Sequence, residues 1–422
     1  MADIQRAIRE RAATTPSGDW VRASGYEETR LAEGRHPTAA DLDAVAPDHP
    51  VRLIHSSGHT RVLNTLALRL AGIEAATEEP PGGVIERDPT TGAPNGVLVG
   101  MEAVVDRAVP RMSYEELSAA VREASDRLLR AGVTLIQDAT YTNGRSEWEL
   151  FERLIADGAL DLDVVMMEGV DHRGALPEAG ANGRLRRGAV KVMLHELEHT
   201  APDGAEIAAM RAAVRAAHEA GRQVAVHAVG EDAVIAAVEA IEAALAAAPR
   251  SEHRHRIEHC SLLTEGVAAR IARSGIVAVC QPSFVYERGD RYLRLVSEER
   301  RRGLHAFRTL RDAGVMLAAG SDAPVTPPPP LASVAAAVDR ATKDGDTLGP
   351  EQAVDVEDAL HWWTSGAARA AFLEGERGSL RPGLRADLVL LPSGALEASP
   401  AELRAMQPEG VWREGRRVRP TP

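Results

Sequence analysis

Aromatic residues make up only 3% of this 422-residue chain: five Trp, five Tyr and four Phe. Ala, Val and Leu must therefore fill most of the interior. Cysteine is nearly absent. Cys260 and Cys280 each end an apolar run, which excludes a disulfide-stapled scaffold and suits two buried thiols in a cytoplasmic protein. No apolar run approaches the ~20 residues that span a bilayer, and the polar N-terminus has no signal-peptide core, so no membrane partner is expected. Positive charge is short as well, with 49 Lys and Arg against 62 Asp and Glu and a net charge of -13. Nucleic acid is excluded as a partner, because phosphate binding needs a basic face. The one basic cluster, Arg413, Arg416, Arg417 and Arg419, reads as a solvated strand edge.

What is present is a rhythm. Gln223-Val224-Ala225-Val226-His227 is an apolar run that stops at a histidine, followed by Gly230 and an Ala-rich segment over 231–247. This is the pattern of a buried parallel strand feeding a helix. It recurs from residue 113 onward and predicts strands near residues 133, 163, 190, 224, 256, 277 and 315, separated by helices. The fold expected is α/β, a TIM-type (β/α) barrel over residues 113–372. Seven strands are legible where such a barrel needs eight, and the missing one should be the first. Residues 1–112 lack the alternation and read as an appendage: a helix over 3–14, turns and short strands at 18–21 and 37–50, a strand at 51–55, a helix from Arg61 to Leu70, and loop or hairpin across 79–96. Residues 373–422 turn to strands, with Ala386–Leu391 and a hairpin turning at Glu414-Gly415.

Four of the barrel strands end on chemistry: Lys191, His227, His259 and Asp322. Parallel barrel strands bring their C-terminal ends to one mouth, so these side chains are expected to meet there. Two neutral imidazoles suit a borderline divalent metal such as zinc, and the set points to a metal-dependent hydrolase. Lysine is an unusual member, because an ammonium has no lone pair to give. A rival pattern, His195-Glu196-Leu197-Glu198-His199, matches the H-E-x-x-H of zinc proteases, with His218 as a third ligand. That motif works on a helix, whereas here it follows a β-like run and precedes Ala201-Pro202-Asp203-Gly204. A loop at the barrel mouth, with His195 or Glu196 touching substrate, is the expectation.

The segments Val190-Lys191-Val192, Val226-His227-Ala228, Arg256-Ile257-Glu258-His259-Cys260 and Gly320-Ser321-Asp322-Ala323-Pro324 resemble, in order, the ligand motifs of the amidohydrolase superfamily. Gly378–Val389 resembles the segment that re-enters that superfamily's small β-sandwich. Ser57-Gly58-His59 with Asn64 is similar to the insert of its family 3 branch, which includes N-substituted formamide deformylase. The resemblance implies a carboxylated Lys191 supplying oxygens to the metal. It also implies Asp322 as both ligand and general acid/base, hydrolysis of a small non-peptide amide or formamide, and substrate contacts from His59, Asn64, His195, Gln281 and Arg308. The metal's part in such chemistry is to lower the pKa of water from ~15.7 toward ~7 and to polarise the carbonyl.

Members of that superfamily open with sandwich strands and a first barrel strand ending in His-x-His. No His-x-His precedes Arg61; the first histidine is His36. The chain is therefore expected to lack that first section and to carry an N-terminal insert, a barrel short of one strand and a partial sandwich. The open sheet edges would suit a homodimer. A non-catalytic binding relic is the alternative to an enzyme.

Overall fold

The computed structural model describes residues 1–56, 58, 60–80, 83–194 and 202–418. The chain divides into two compact units, Met1–Ser113 and Tyr114–Pro422; residues 373–422 fall in the second. Among the described residues no helix is long and apolar enough to cross a membrane.

The first unit is built on its own five-stranded sheet, in the order Val21–Tyr26, Val51–His55, Thr60–Leu63, Pro94–Val99, Val84–Arg87. The first pair is parallel and the others antiparallel. Two expectations change here. Residues 61–63 are strand rather than helix, because Arg61, Val62 and Leu63 sit between two neighbouring strands and their backbone groups pair on both sides. The helix begins only at Thr65, after Asn64 caps it. Residues 39–43, read as turns, form a short helix opened by Thr38, whose N–H donates to the Asp41 carboxylate at 2.8 Å.

The second unit carries seven parallel strands: β1 (Leu135–Asp138), β2 (Asp163–Gly169), β3 (Leu185–Val192), β4 (Val224–Ala228), β5 (Arg256–His259), β6 (Val277–Cys280) and β7 (Met316–Ala319). They pair in simple sequence order from β1 to β7, and every pairing is parallel. This is a curled, helix-covered sheet consistent with a TIM-like barrel. Alternation along the strands separates two layers. Val224, Val226, Ile257, Ala278 and Leu317 join the helix-facing core. The other side, the interior, holds aliphatic residues such as Ala189, Ala225, Val277, Val279 and Ala318 beside the polar Lys191, Arg256 and Glu258. Small side chains dominate both layers, as a chain poor in aromatics requires.

The helical layer approaches the sheet closely behind β7. A π-helical turn over Trp362–Gly366 lies against it, and a Cβ added at Gly366 would stand 2.3 Å from the Leu317 carbonyl oxygen. Only glycine fits there. The hairpin at the end of the chain turns as expected, with Glu414 and Gly415 both left-handed, φ 51° and 77°.

At the opposite end of β4 and β5 from the strand-terminal histidines lies a chain of three buried histidines. The Val224 N–H donates to His255 Nδ1 at 3.1 Å, so the proton of His255 is on Nε2 and is given to His218 Nδ1 at 2.8 Å. His218 in turn donates from Nε2 to the Ala248 carbonyl at 2.6 Å. His253 Nδ1 accepts the His255 N–H at 2.9 Å, and its Nε2 donates to the Ser274 carbonyl at 2.8 Å. Every ring nitrogen is used, and each ring is neutral in this arrangement. Burial pushes His255 down to about 2, and His253 is lowered for the same reason. The unfolded chain, with histidine near ~6.5, therefore binds more protons than the folded one below that pH, and stability falls as acid is added. Each such histidine contributes a slope of about 1.4 kcal/mol per pH unit between its two values. The urea midpoint should drop steadily from pH 7 to pH 5, and His255→Gln should flatten that dependence while lowering the midpoint at pH 7. A midpoint flat over that range in the wild type contradicts the assignment.

Candidate metal centre

Lys191, at the end of β3, is buried, only 4% exposed, and burial is the main force pushing its amine toward the neutral form. Glu258 opposes that shift, while Arg256 reinforces it. His227 near the end of β4 and His259 at the end of β5 meet edge to face, with ring centroids 4.6 Å apart. Burial lowers His259, partly offset by Asp322, so its imidazole is held neutral. Asp322, two residues beyond Gly320 at the end of β7, is raised by burial against the pull of His259 and Lys191. His259 interacts electrostatically with Lys191 and Asp322, and Lys191 with Asp322, so three of the four strand-end groups predicted to converge share one electrostatic neighbourhood, and His227 is tied to it by its ring contact with His259.

Two of these residues get there by leaving strand geometry. Strict alternation on β5 would put His259 on the helix-facing side with Ile257. Its backbone is instead left-handed, φ 73°, and its ring lies against that of His227. Asp322 is left-handed too, φ 55°. Such conformations are uncommon for residues with a Cβ and persist where surrounding structure enforces them, often at functional sites.

The donor set fits a divalent ion in kind. The His227 and His259 imidazoles offer nitrogen, Asp322 offers oxygen, and Lys191 is being pushed toward the neutral amine that metal binding or carboxylation requires. Among the described residues, no three His, Cys, Asp or Glu side chains form a metal-binding group by themselves.

The interior below the site is polar. Arg256 and Glu258, on the same face of β5 two residues apart, form a two-point ion pair, and Arg256 Nη1 reaches Gln137 Oε1 on β1 at 2.6 Å. Burial acts to raise Glu258, but Arg256 and Lys191 together hold it in the carboxylate form. These three residues were not singled out from sequence. The signal was available, since charged residues at alternate positions of an otherwise buried strand must share the inner face. His305 was missed as well. It is buried, left-handed (φ 49°) and lowered to about 3 mainly by burial, and among the described residues neither ring nitrogen has a hydrogen-bond partner. Nothing in its local sequence marks it.

The remaining site expectations separate. Gln281 is buried against His259, Oε1 to Nδ1 2.9 Å, which places it behind the histidine rather than on a substrate. Asn64 has no polar atom to offer a ligand: Oδ1 accepts from the backbone of Val51 and Ala67, and Nδ2 donates to the carbonyls of Ala46 and His49. It is a helix cap that also ties down a turn. Arg308 is exposed on the helix Phe307–Asp312 and donates to the Ala353 carbonyl at 2.8 Å. His59 and His195 lie outside the described residues, as does the whole H-E-x-x-H segment. His218, the third ligand that the protease reading needs, has both ring nitrogens engaged elsewhere.

The chain belongs to the amidohydrolase family, whose model matches residues 1–419, and is by that membership a hydrolase. It is 29% identical over 438 residues to N-substituted formamide deformylase of Arthrobacter pascens, covering 96% of this chain and 80% of that protein. It is 30% identical to Protein LONG AFTER FAR-RED 3 of Arabidopsis thaliana, covering 92% of this chain and 72% of that one. In fold it is similar to an uncharacterized metal-dependent hydrolase from Pyrococcus horikoshii, with a TM-score of 0.69 at 23% identity, over 91% of this chain and 78% of that chain.

Asn64→Ala should cost about 2 kcal/mol, from a lost cap and orphaned backbone donors, read as a lower denaturation midpoint. Bound metal per chain should not change; a loss of metal would show that Asn64 does more than cap.

Proposed function

We propose that this protein hydrolyses the C–N bond of a small N-substituted amide or formamide at a zinc site formed by Lys191, His227, His259 and Asp322. The observation that carries the reading is the gathering of four ionisable groups from four separate strands, with burial driving Lys191 and His259 toward neutrality and holding Asp322 up. The likeness to N-substituted formamide deformylase supports the choice of bond. Zinc, when bound, supplies Lewis-acid polarisation of the carbonyl and acidifies water.

The protein's own groups carry the rest. His227 and His259 present neutral nitrogens from adjacent strands, and Lys191, as its carbamate, adds oxygens. Asp322 takes a proton from the attacking water and returns one to the departing nitrogen. Its raised pKa suits both halves of that exchange, because a carboxyl whose pKa is brought toward the working pH both accepts and donates. Glu258, fixed by Arg256, stays ionised and balances positive charge beside Lys191. The two buried free thiols, Cys260 and Cys280, support a reducing, cytoplasmic setting.

A hydrolysis screen of zinc-loaded protein on N-substituted formamides and small amides tests the reaction. Lys191→Ala and His259→Ala should each strip the metal. Asp322→Asn should retain metal yet lose about 10²–10⁴-fold in kcat, the usual worth of a positioned acid/base. An unchanged rate in Asp322→Asn removes that residue from the chemistry, and metal retained in full by His259→Ala removes the site.

A further inference from the structure

His259 is gripped from one short segment, Gln281–Phe284, that follows β6. Gln281 Nε2 donates to the Val279 carbonyl at 3.3 Å. A carbonyl can only accept, so the amide group facing it must be the NH₂, and the oxygen of the same amide is left facing His259. That oxygen lies 2.9 Å from His259 Nδ1. A carbonyl oxygen cannot donate either, so Nδ1 carries the proton and Nε2 is bare. Among the described residues nothing hydrogen-bonds Nε2. Phe284 covers the ring's face, centroids 6.0 Å apart and planes within 24° of parallel. Gln281 and Phe284 are themselves buried, so neither has room to adjust.

We infer that Gln281 and Phe284 act as a positioning bracket for His259. Gln281 selects the Nδ1–H tautomer, Phe284 sets the plane of the ring, and together they commit Nε2 to the metal. A free imidazole divides its proton between two nitrogens and rotates about two bonds. Here the left-handed backbone at His259 leaves the ring outside the strand's own alternation, so an external support has to fix it. An outer partner of this kind raises the ligand's basicity and holds its orientation, and its removal typically weakens metal binding 10–100-fold. The inference rests on His259 being a ligand, as proposed above.

The test uses the full chain, with Zn²⁺ affinity measured by chelator competition and the His259 tautomer read from ¹⁵N shifts of histidine-labelled, metal-free protein. Gln281→Leu keeps volume and removes the acceptor; it should bind Zn²⁺ about 10–100-fold more weakly and show His259 as a mixture of tautomers. Gln281→Glu restores an acceptor and should recover both the affinity and the single Nδ1–H tautomer. Phe284→Leu should weaken binding while leaving the tautomer unmixed, since only the ring's plane is released. Wild-type affinity with one Nδ1–H tautomer in Gln281→Leu overturns the inference. If Gln281→Leu does not fold, Gln281→Glu decides the matter, because a mixed tautomer there is equally fatal. Should the wild type bind no Zn²⁺, the proposed function fails, and the tautomer shifts still judge the bracket separately.

Discussion

Parallel pairing in register is the constraint on which the centre depends. Val226 pairs with Ile257, His227 with Glu258 and Ala228 with His259, without a bulge between β4 and β5. Side chains alternate with a period of two, so a slip of one residue between these strands would turn His227 away from His259 and bring the helix-facing valines inward. The apolar layer prevents the slip. Val224, Val226 and Ile257 are buried against the helices, and exposing them to the interior would lose about 1.5–3 kcal/mol each. The geometry of the polar residues is thus enforced by the apolar ones.

Placing a lysine, a glutamate, an arginine and a histidine in one buried region, beside a half-buried histidine and an exposed aspartate, is costly unless their charges compensate. The fold answers in two ways. Arg256 and Glu258 neutralise each other through a two-point ion pair anchored on Gln137. Desolvation drives Lys191 and His259 toward their neutral forms, the state in which an amine or imidazole can serve a metal or a carbamate, and it raises Asp322 against the pull of His259 and Lys191. The same desolvation that threatens stability therefore prepares the chemistry. The histidine chain at the other end of β4 and β5 uses a different solution: complete hydrogen bonding of neutral rings.

The strand ends were legible because a short apolar run that stops at one polar residue and hands over to a helix fits little besides a buried parallel strand. All seven parallel strands between 135 and 319 lie where the alternation placed them, and only the short antiparallel strand Ala179–Gly180 was not foreseen. The first unit was harder. Arg61-Val62-Leu63 has no helix-breaking residue, and only pairing with distant residues 51–55 and 97–99 makes it strand. Asn64 illustrates the same limit: a polar residue in a motif-like stretch could face a ligand or cap a helix, and only its four backbone partners decide between them.

The sequence by itself determined the parallel α/β architecture, the order of the strands and the identity of the four strand-end groups. Those follow from local periodicity and from where each apolar run stops, and both are written along the chain. Only the tertiary structure decided that His259 turns out of its strand to face His227, that Gln281 stands behind it, and that His305 is buried nearby. These depend on backbone angles and on contacts between strands far apart in number, which no local pattern encodes.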